Sequence, residues 1–134
     1  MFRHPVAVRY LEVDAQGVVF NMWYLGWFDD AMTAFLADSG LPYPELMTAG
    51  YDVMLVRSEI DWSSGVGFDD DVAVEVAVDR IGTTSFTLAF TVLRGETPTA
   101  RGRTTYVVIA LDDSGKQPVP DRLRAALEPR VVAS

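Results

Sequence analysis

Apolar residues recur every three or four positions along one stretch of the chain: Tyr24, Trp27, Phe28, Ala31, Ala34 and Phe35, with Asp38 continuing the spacing. That period lines one wide stripe along one face and predicts a helix packed on a core. Asn21 is the expected N-cap, because its side-chain oxygen can accept an orphan backbone N–H. Gly40 suits the position just past the helix end, and Pro42 stops it. Elsewhere the period is two. Pro5 to Val13 alternates weakly, with Val6, Val8 and Tyr10 on one face, and predicts a first strand. Tyr51 to Trp62 predicts a long second one. Val72 to Val78, Phe86 to Val92 and Ala100 to Leu111 alternate more strongly and predict three more. Gly82-Thr83-Thr84, Gly95 to Pro98 and Asp113 to Lys116 read as turns. Pro44 to Met47 reads as one helical turn, and Pro120 to Leu127 as a short terminal helix.

The order is a strand, a long helix, then four strands in meander. It predicts an α+β domain with the helix on one face of an antiparallel sheet. Such a sheet leaves free edges, and pairing through an edge into a homodimer is the expected remedy.

Composition narrows the chemistry. A chain of 134 residues fits one domain with a sizeable core. It has no cysteine, which excludes disulfides, Cys-zinc sites and a thiol nucleophile. A net charge of −8 argues against nucleic acid as a partner, because phosphate binding needs a basic patch. The start, M-F-R-H-P-V-A-V-R-Y, is too polar for a signal peptide, and no apolar run approaches the ~20 residues of a membrane span. A cytoplasmic protein with no membrane partner is expected.

Few residues remain that could carry chemistry. Asp14 stands in D-A-Q-G, a loop ahead of the long helix, where Gly17 can take φ > 0. The helix start carries about +0.5 of a charge and unpaired N–H groups. A thioester or ester carbonyl aimed there would have its oxyanion stabilised while Asp14 attacks it or activates a water. The plainer reading is that Asp14 only closes the turn or pairs with an arginine. His4 is the only histidine and sits on a terminus expected to fray, which argues against a Ser-His-Asp triad and against His-based metal sites. Glu59 and Asp61 share a strand face that is most simply solvated. Asp69-Asp70-Asp71 lacks the spacing of a calcium loop. Ser58, Ser63 and Ser64 could bind a ligand hydroxyl or backbone.

The stretch V-R-Y-L-E-V-D-A-Q-G-V-V-F-N-M-W-Y-L-G-W-F-D-D-A (Val8 to Ala31) resembles the hot-dog acyl-CoA thioesterases, and most of all their 4-hydroxybenzoyl-CoA thioesterase branch. R-S-E-I-D-W, D-D-D-V-A-V-E-V and R-I-G-T-T-S-F continue the pattern in order. The resemblance implies a five-stranded antiparallel sheet wrapped around one long helix. It also implies a homodimer, often paired again into a tetramer, with the active site at the seam. Asp14 is then the nucleophile or base acting on an acyl-CoA, Gly17 the turn, and the backbone N–H at Asn21 the oxyanion donor. Phe20, Trp23, Tyr24, Trp27 and Phe28 could line the acyl pocket. Ser58, Arg80 and the turn Thr83, Thr84 and Ser85 are candidates for substrate contacts. Many relatives have His at or near Asn21, and some carry basic residues where this chain has the Gly82 to Ser85 turn. Arg80, Arg122 and Arg124 could compensate. No cofactor is implied. A hot-dog module that binds acyl-CoA or an acyl-carrier ligand without catalysis is the alternative.

Overall fold

The computed structural model describes residues 1–132. Its strands are β1 (Phe2–Val6), β2 (Tyr51–Trp62), β3 (Val72–Ile81), β4 (Ser85–Arg94) and β5 (Thr97–Ala110). Its helices are α1 (Trp23–Asp38), α2 (Tyr43–Thr48) and α3 (Asp121–Leu127), with single 3-10 turns at Tyr10–Glu12 and Glu128–Arg130. The strands form one antiparallel sheet in the order β1-β3-β4-β5-β2. No helix among the described residues is long and apolar enough to cross a membrane.

Three expectations are corrected. The last four strands are not all in meander. The short links at Gly82–Thr84 and Gly95–Glu96 keep β3, β4 and β5 adjacent, while the long link from Ser63 to Asp71 carries the chain from β2 at one edge to β3 near the other. The first strand ends at Val6, because a 3-10 turn follows in which Glu12 Oε1 accepts the Arg9 N–H at 2.7 Å. His4 therefore lies half-buried in β1, paired with Val74, and not on a frayed end. Asn21 does not cap α1 through its side chain. The Trp23 and Tyr24 N–H groups donate to the Phe20 and Asn21 carbonyls at 3.1 and 3.3 Å, so an entering turn replaces the cap.

The far end of α1 closes as expected. Gly40 adopts φ +92°, Gly40 N–H donates to the Ala37 carbonyl and Leu41 N–H to the Leu36 carbonyl. This paired bonding satisfies carbonyls that the helix leaves open.

Alternation decides which sheet face is buried. Val72, Val74, Val76 and Val78 of β3 and Phe86, Leu88, Phe90 and Val92 of β4 turn toward α1 and are sealed from solvent. Each such side chain contributes roughly 1.5–3 kcal/mol by leaving water. The opposite face carries the charges. There Glu59 reaches Arg57 at 3.8 Å and Arg103 at 3.7 Å, and Arg103 reaches Asp79 at 3.7 Å. Exposed pairs of this kind add little stability. Phe28 of α1 stacks on Phe90 at 4.4 Å, and Gly102 leaves room for it: a Cβ there would sit 2.7 Å from the Phe28 ring. α1 packs mainly on β1 and β3, so it stands nearer that edge of the sheet than the β2 edge.

Candidate active site

The loop ahead of α1 is held from several sides. Asp14 N–H donates to the Val18 carbonyl at 2.9 Å, and Gly17 N–H donates to the Asp14 carbonyl at 3.0 Å. Asp14 Oδ1 accepts the Gln16 N–H at 2.8 Å. Gly17 has φ +79°, a conformation that side-chain-bearing residues rarely take. Outside the loop, Val19 N–H donates to the Val66 carbonyl and Phe20 N–H to the Glu12 carbonyl. Glu12 is buried, and its carboxylate accepts the indole N–H of Trp27 at 3.3 Å. The Asp14 loop is thus tied to the following segment and to α1 itself.

Asp14, Phe20, Asn21 and Tyr24 line one cleft of about 580 Å³. Trp62 at the end of β2 and Ser64 just after it complete the wall. The N–H groups of Asn21 and Met22 find no acceptor among the described residues. One cleft therefore presents a half-buried carboxylate and a helix entrance with free donors. That pairing can stabilise a carbonyl oxygen while the carboxylate acts on its carbon. Tyr24 is sealed from solvent at its hydroxyl, which has no partner among the described residues, and burial pushes its pKa up.

The other expected residues fall elsewhere. Trp23 is half-buried beneath the Arg9 guanidinium, 5.4 Å from its ring centre, and does not line the cleft. Trp27 and Phe28 are core. Ser58 turns inward from β2 and shares a 2.8 Å hydrogen bond with the Thr104 hydroxyl. Arg80 lines a cleft on the charged face with Arg57, Asp79 and Arg103. Thr83, Thr84 and Ser85 form the β3–β4 turn, where their carbonyls accept the Val119, Val108 and Gly82 N–H groups and leave the hydroxyls free for other partners. None of these four lines the Asp14 cleft within one chain. Trp62 and Gly65 in its wall were not anticipated. Val18 packs closely on Gly65, where a Cβ would lie 2.9 Å from Val18 Cγ1, so the glycine is the one local sign of that approach.

A second cleft, of about 490 Å³, lies between α1 and the other half of β2. Asp29, Met32 and Thr33 of α1 face Val53 and Leu55 of β2 across it, and Tyr106 of β5 forms part of the wall. Asp29 is exposed as a residue, yet its carboxyl is partly desolvated. That desolvation, helped by the neighbouring Asp30 charge, pushes its pKa up. The sequence pattern did not single out Asp29, since an acid beside an apolar helix stripe is the ordinary boundary of the stripe.

A five-stranded sheet around a single long helix, with an acid at the helix entrance, defines the hot-dog thioesterase class. The family model described as the thioesterase-like superfamily matches residues 8–127. The chain belongs to that superfamily. It is 25% identical over 128 residues to a 1,4-dihydroxy-2-naphthoyl-CoA hydrolase of Nostoc punctiforme, covering 95% of this chain and 86% of that protein. Among solved structures, a thioesterase-superfamily protein of Jannaschia sp. superposes with a TM-score of 0.92 at 25% identity, covering 98% and 94%. The dynemicin thioesterase, studied with bound polyene, superposes with a TM-score of 0.86 at 28% identity, covering 98% of both chains.

Proposed function

We propose that this thioester hydrolase acts on acyl-CoA at the Asp14 cleft, with the Asn21 N–H as oxyanion donor. The observation that carries the reading is the meeting of Asp14 and the free Asn21 N–H in one cleft. The thioester carbonyl oxygen accepts that N–H, and the helix dipole favours the charge that develops on it. Asp14 then acts in one of two ways. As a nucleophile, its carboxylate forms a C–O bond to the carbonyl carbon while the C–S bond breaks and CoA leaves as thiolate; water then hydrolyses the mixed anhydride. As a base, it takes a proton from a water whose oxygen forms the C–O bond while the C–S bond breaks and CoA leaves as thiolate, and the proton then passes to that thiolate or to solvent. Both routes consume one water and yield free acid and CoA.

The rest of the reading concerns assembly. β2 is an edge strand whose exposed positions include Met54, Leu55 and Val56, and a free apolar edge is a template for a second copy. Pairing there would extend the wall of both clefts, which already include β2 residues. Arg80 and the hydroxyls of Thr83, Thr84 and Ser85 are offered for the CoA phosphates. They could serve the Asp14 cleft only across such a pair.

The test is Asp14→Asn and Asp14→Ala against a panel of acyl-CoAs. Asparagine keeps an acceptor for the Gln16 N–H, so the loop should hold. Turnover should fall by about 10³-fold or more in both variants, with melting temperature little changed in Asp14→Asn. Retention of most activity in Asp14→Ala refutes the assignment.

A further inference from the structure

Glu12 is 3% exposed, and no step of the reaction written above uses it. A buried carboxylate is costly unless it is paired and hydrogen-bonded. Glu12 is both. Its Oε1 accepts the Arg9 N–H at 2.7 Å, and its Oε2 accepts from the Arg9 guanidinium and from the Trp27 indole N–H, each at 3.3 Å. It does not line the Asp14 cleft. With Trp27 it lines a separate cleft of about 360 Å³, shared with His4 and Asp30. Glu12 therefore does not touch a thioester bound at Asp14 and acts only through what it holds.

It holds both sides of the proposed reaction centre. Asp14 lies two positions further along the chain. From Glu12 to Phe20 the chain folds back on itself as a small hairpin: the Glu12 carbonyl accepts the Phe20 N–H at 2.9 Å, Val13 bridges Val19, and Asp14 N–H donates to the Val18 carbonyl at 2.9 Å. Asn21 and Met22 are the joint between this hairpin and α1, which begins at Trp23. The direction of the Asn21 N–H thus depends on how the hairpin is held against the helix. The Glu12 side chain makes that connection twice. Trp27 donates to it directly. Trp23, one turn earlier on the same helix face, lies 5.4 Å beneath the Arg9 guanidinium that Glu12 pairs with. Buried ion pairs add little net stability, and apolar residues of similar volume often serve as well. A charge placed here serves geometry at the helix end whose dipole the oxyanion needs.

We propose that Glu12 is a positioning residue for thioester hydrolysis: its carboxylate fixes the α1 entrance, and with it the Asn21 N–H, at the angle to Asp14 that the reaction requires. The inference deepens the thioesterase reading of the Asp14 cleft and rests on it.

The test compares the full chain with Glu12→Gln, Trp27→Phe and the two combined, following CoA release well below the melting temperature of each variant. Glutamine has the shape of glutamate and keeps an oxygen for the Arg9 N–H, but it turns an NH2 group toward the indole and the guanidinium. Phenylalanine leaves the Glu12 charge in place and removes one donor. kcat should fall about 10²-fold in Glu12→Gln and about tenfold in Trp27→Phe, with KM changed by less than about twofold in both. The double variant should be no slower than Glu12→Gln alone, because the opposed donors are gone. Binding of a non-hydrolysable CoA thioether, measured by calorimetry, should be unchanged. A residue that only held the fold together would lower the melting temperature and leave kcat intact in the folded molecules. Three results overturn the proposal: kcat within about twofold of wild type in both single variants, a loss confined to Glu12→Gln, which would assign the effect to charge and not to position, or losses that multiply in the double variant. If Glu12→Gln does not fold, Trp27→Phe decides the question by itself. Asp14→Asn in the same assay separates the two readings. Activity retained there removes the catalytic cleft and this inference with it, whereas an inactive Asp14→Asn beside unimpaired Glu12→Gln and Trp27→Phe sinks this inference alone.

Discussion

Gly65→Ala tests whether the Asp14 loop must be held where it is. A Cβ at position 65 would lie 2.9 Å from Val18 Cγ1 and 3.1 Å from Val18 Cβ. Carbon atoms reach their best separation at about 3.5–4.0 Å, so the two residues must part by roughly half an ångström. Val18 is β-branched and cannot swing clear. Its carbonyl accepts the Asp14 N–H, and Val19 is anchored to Val66, so the displacement runs toward Asp14. A 1 Å misplacement of a reacting group can cost about 10²-fold; half of that predicts a loss near tenfold in kcat. The stability cost should be about 1 kcal/mol, or a melting temperature lower by roughly 3–5 °C. Stopped-flow release of CoA and thermal unfolding read the two effects separately. Adding Val18→Ala removes the nearest atom, so the double variant should recover most of the lost kcat, a non-additive result. If Gly65→Ala lowers the melting temperature but leaves kcat within twofold, the position of the loop does not limit the reaction. Additive losses in the double variant would refute the steric route.

Two further predictions follow from packing and charge. Gly102→Ala would place a Cβ 2.7 Å from the Phe28 ring and 2.9 Å from the Glu59 carbonyl oxygen, disturbing the Phe28–Phe90 stack; a loss of about 1–3 kcal/mol in chemical denaturation is expected, and an unchanged midpoint would show that the ring yields freely. Asp29 has a raised pKa, so the folded chain holds its proton over a range where the unfolded chain has lost it, and its contribution to stability falls as pH rises through that range. Asp29→Asn should therefore melt higher than the parent at neutral pH, with the gap closing as pH drops below the ordinary carboxylate range. A gap that widens in acid would contradict the desolvation of this carboxyl.

Much of the fold was legible because its signals are local. The period of α1 and the alternation of β3, β4 and β5 put the right side chains in the core, and Gly40 and Gly17 take the positive φ their contexts require. Sheet order was not legible, because β2 has the same alternation whether it neighbours β3 or β5; only the length of the Ser63 to Asp71 link separates the two, and length permits a crossing without demanding it. The start of α1 misled for a related reason. Asn21 has the chemistry of a cap, but the Phe20 and Asn21 carbonyls take the Trp23 and Tyr24 N–H groups first.

The candidate site divides along the same line between local and distant. Asp14, Gly17, Phe20, Asn21 and Tyr24 lie within eleven consecutive positions, so one motif could bring them to notice together. Trp62 and Ser64 enter their cleft only because β2 runs along the sheet edge, and Tyr106 meets Asp29 only through β5. This separation has a functional consequence. The residues proposed for bond breaking sit on one continuous segment, whereas the walls of both clefts also draw on β2, far from that segment in sequence. In a domain that holds its helix away from one sheet edge, the groove left there can change specificity while the chemistry stays in place.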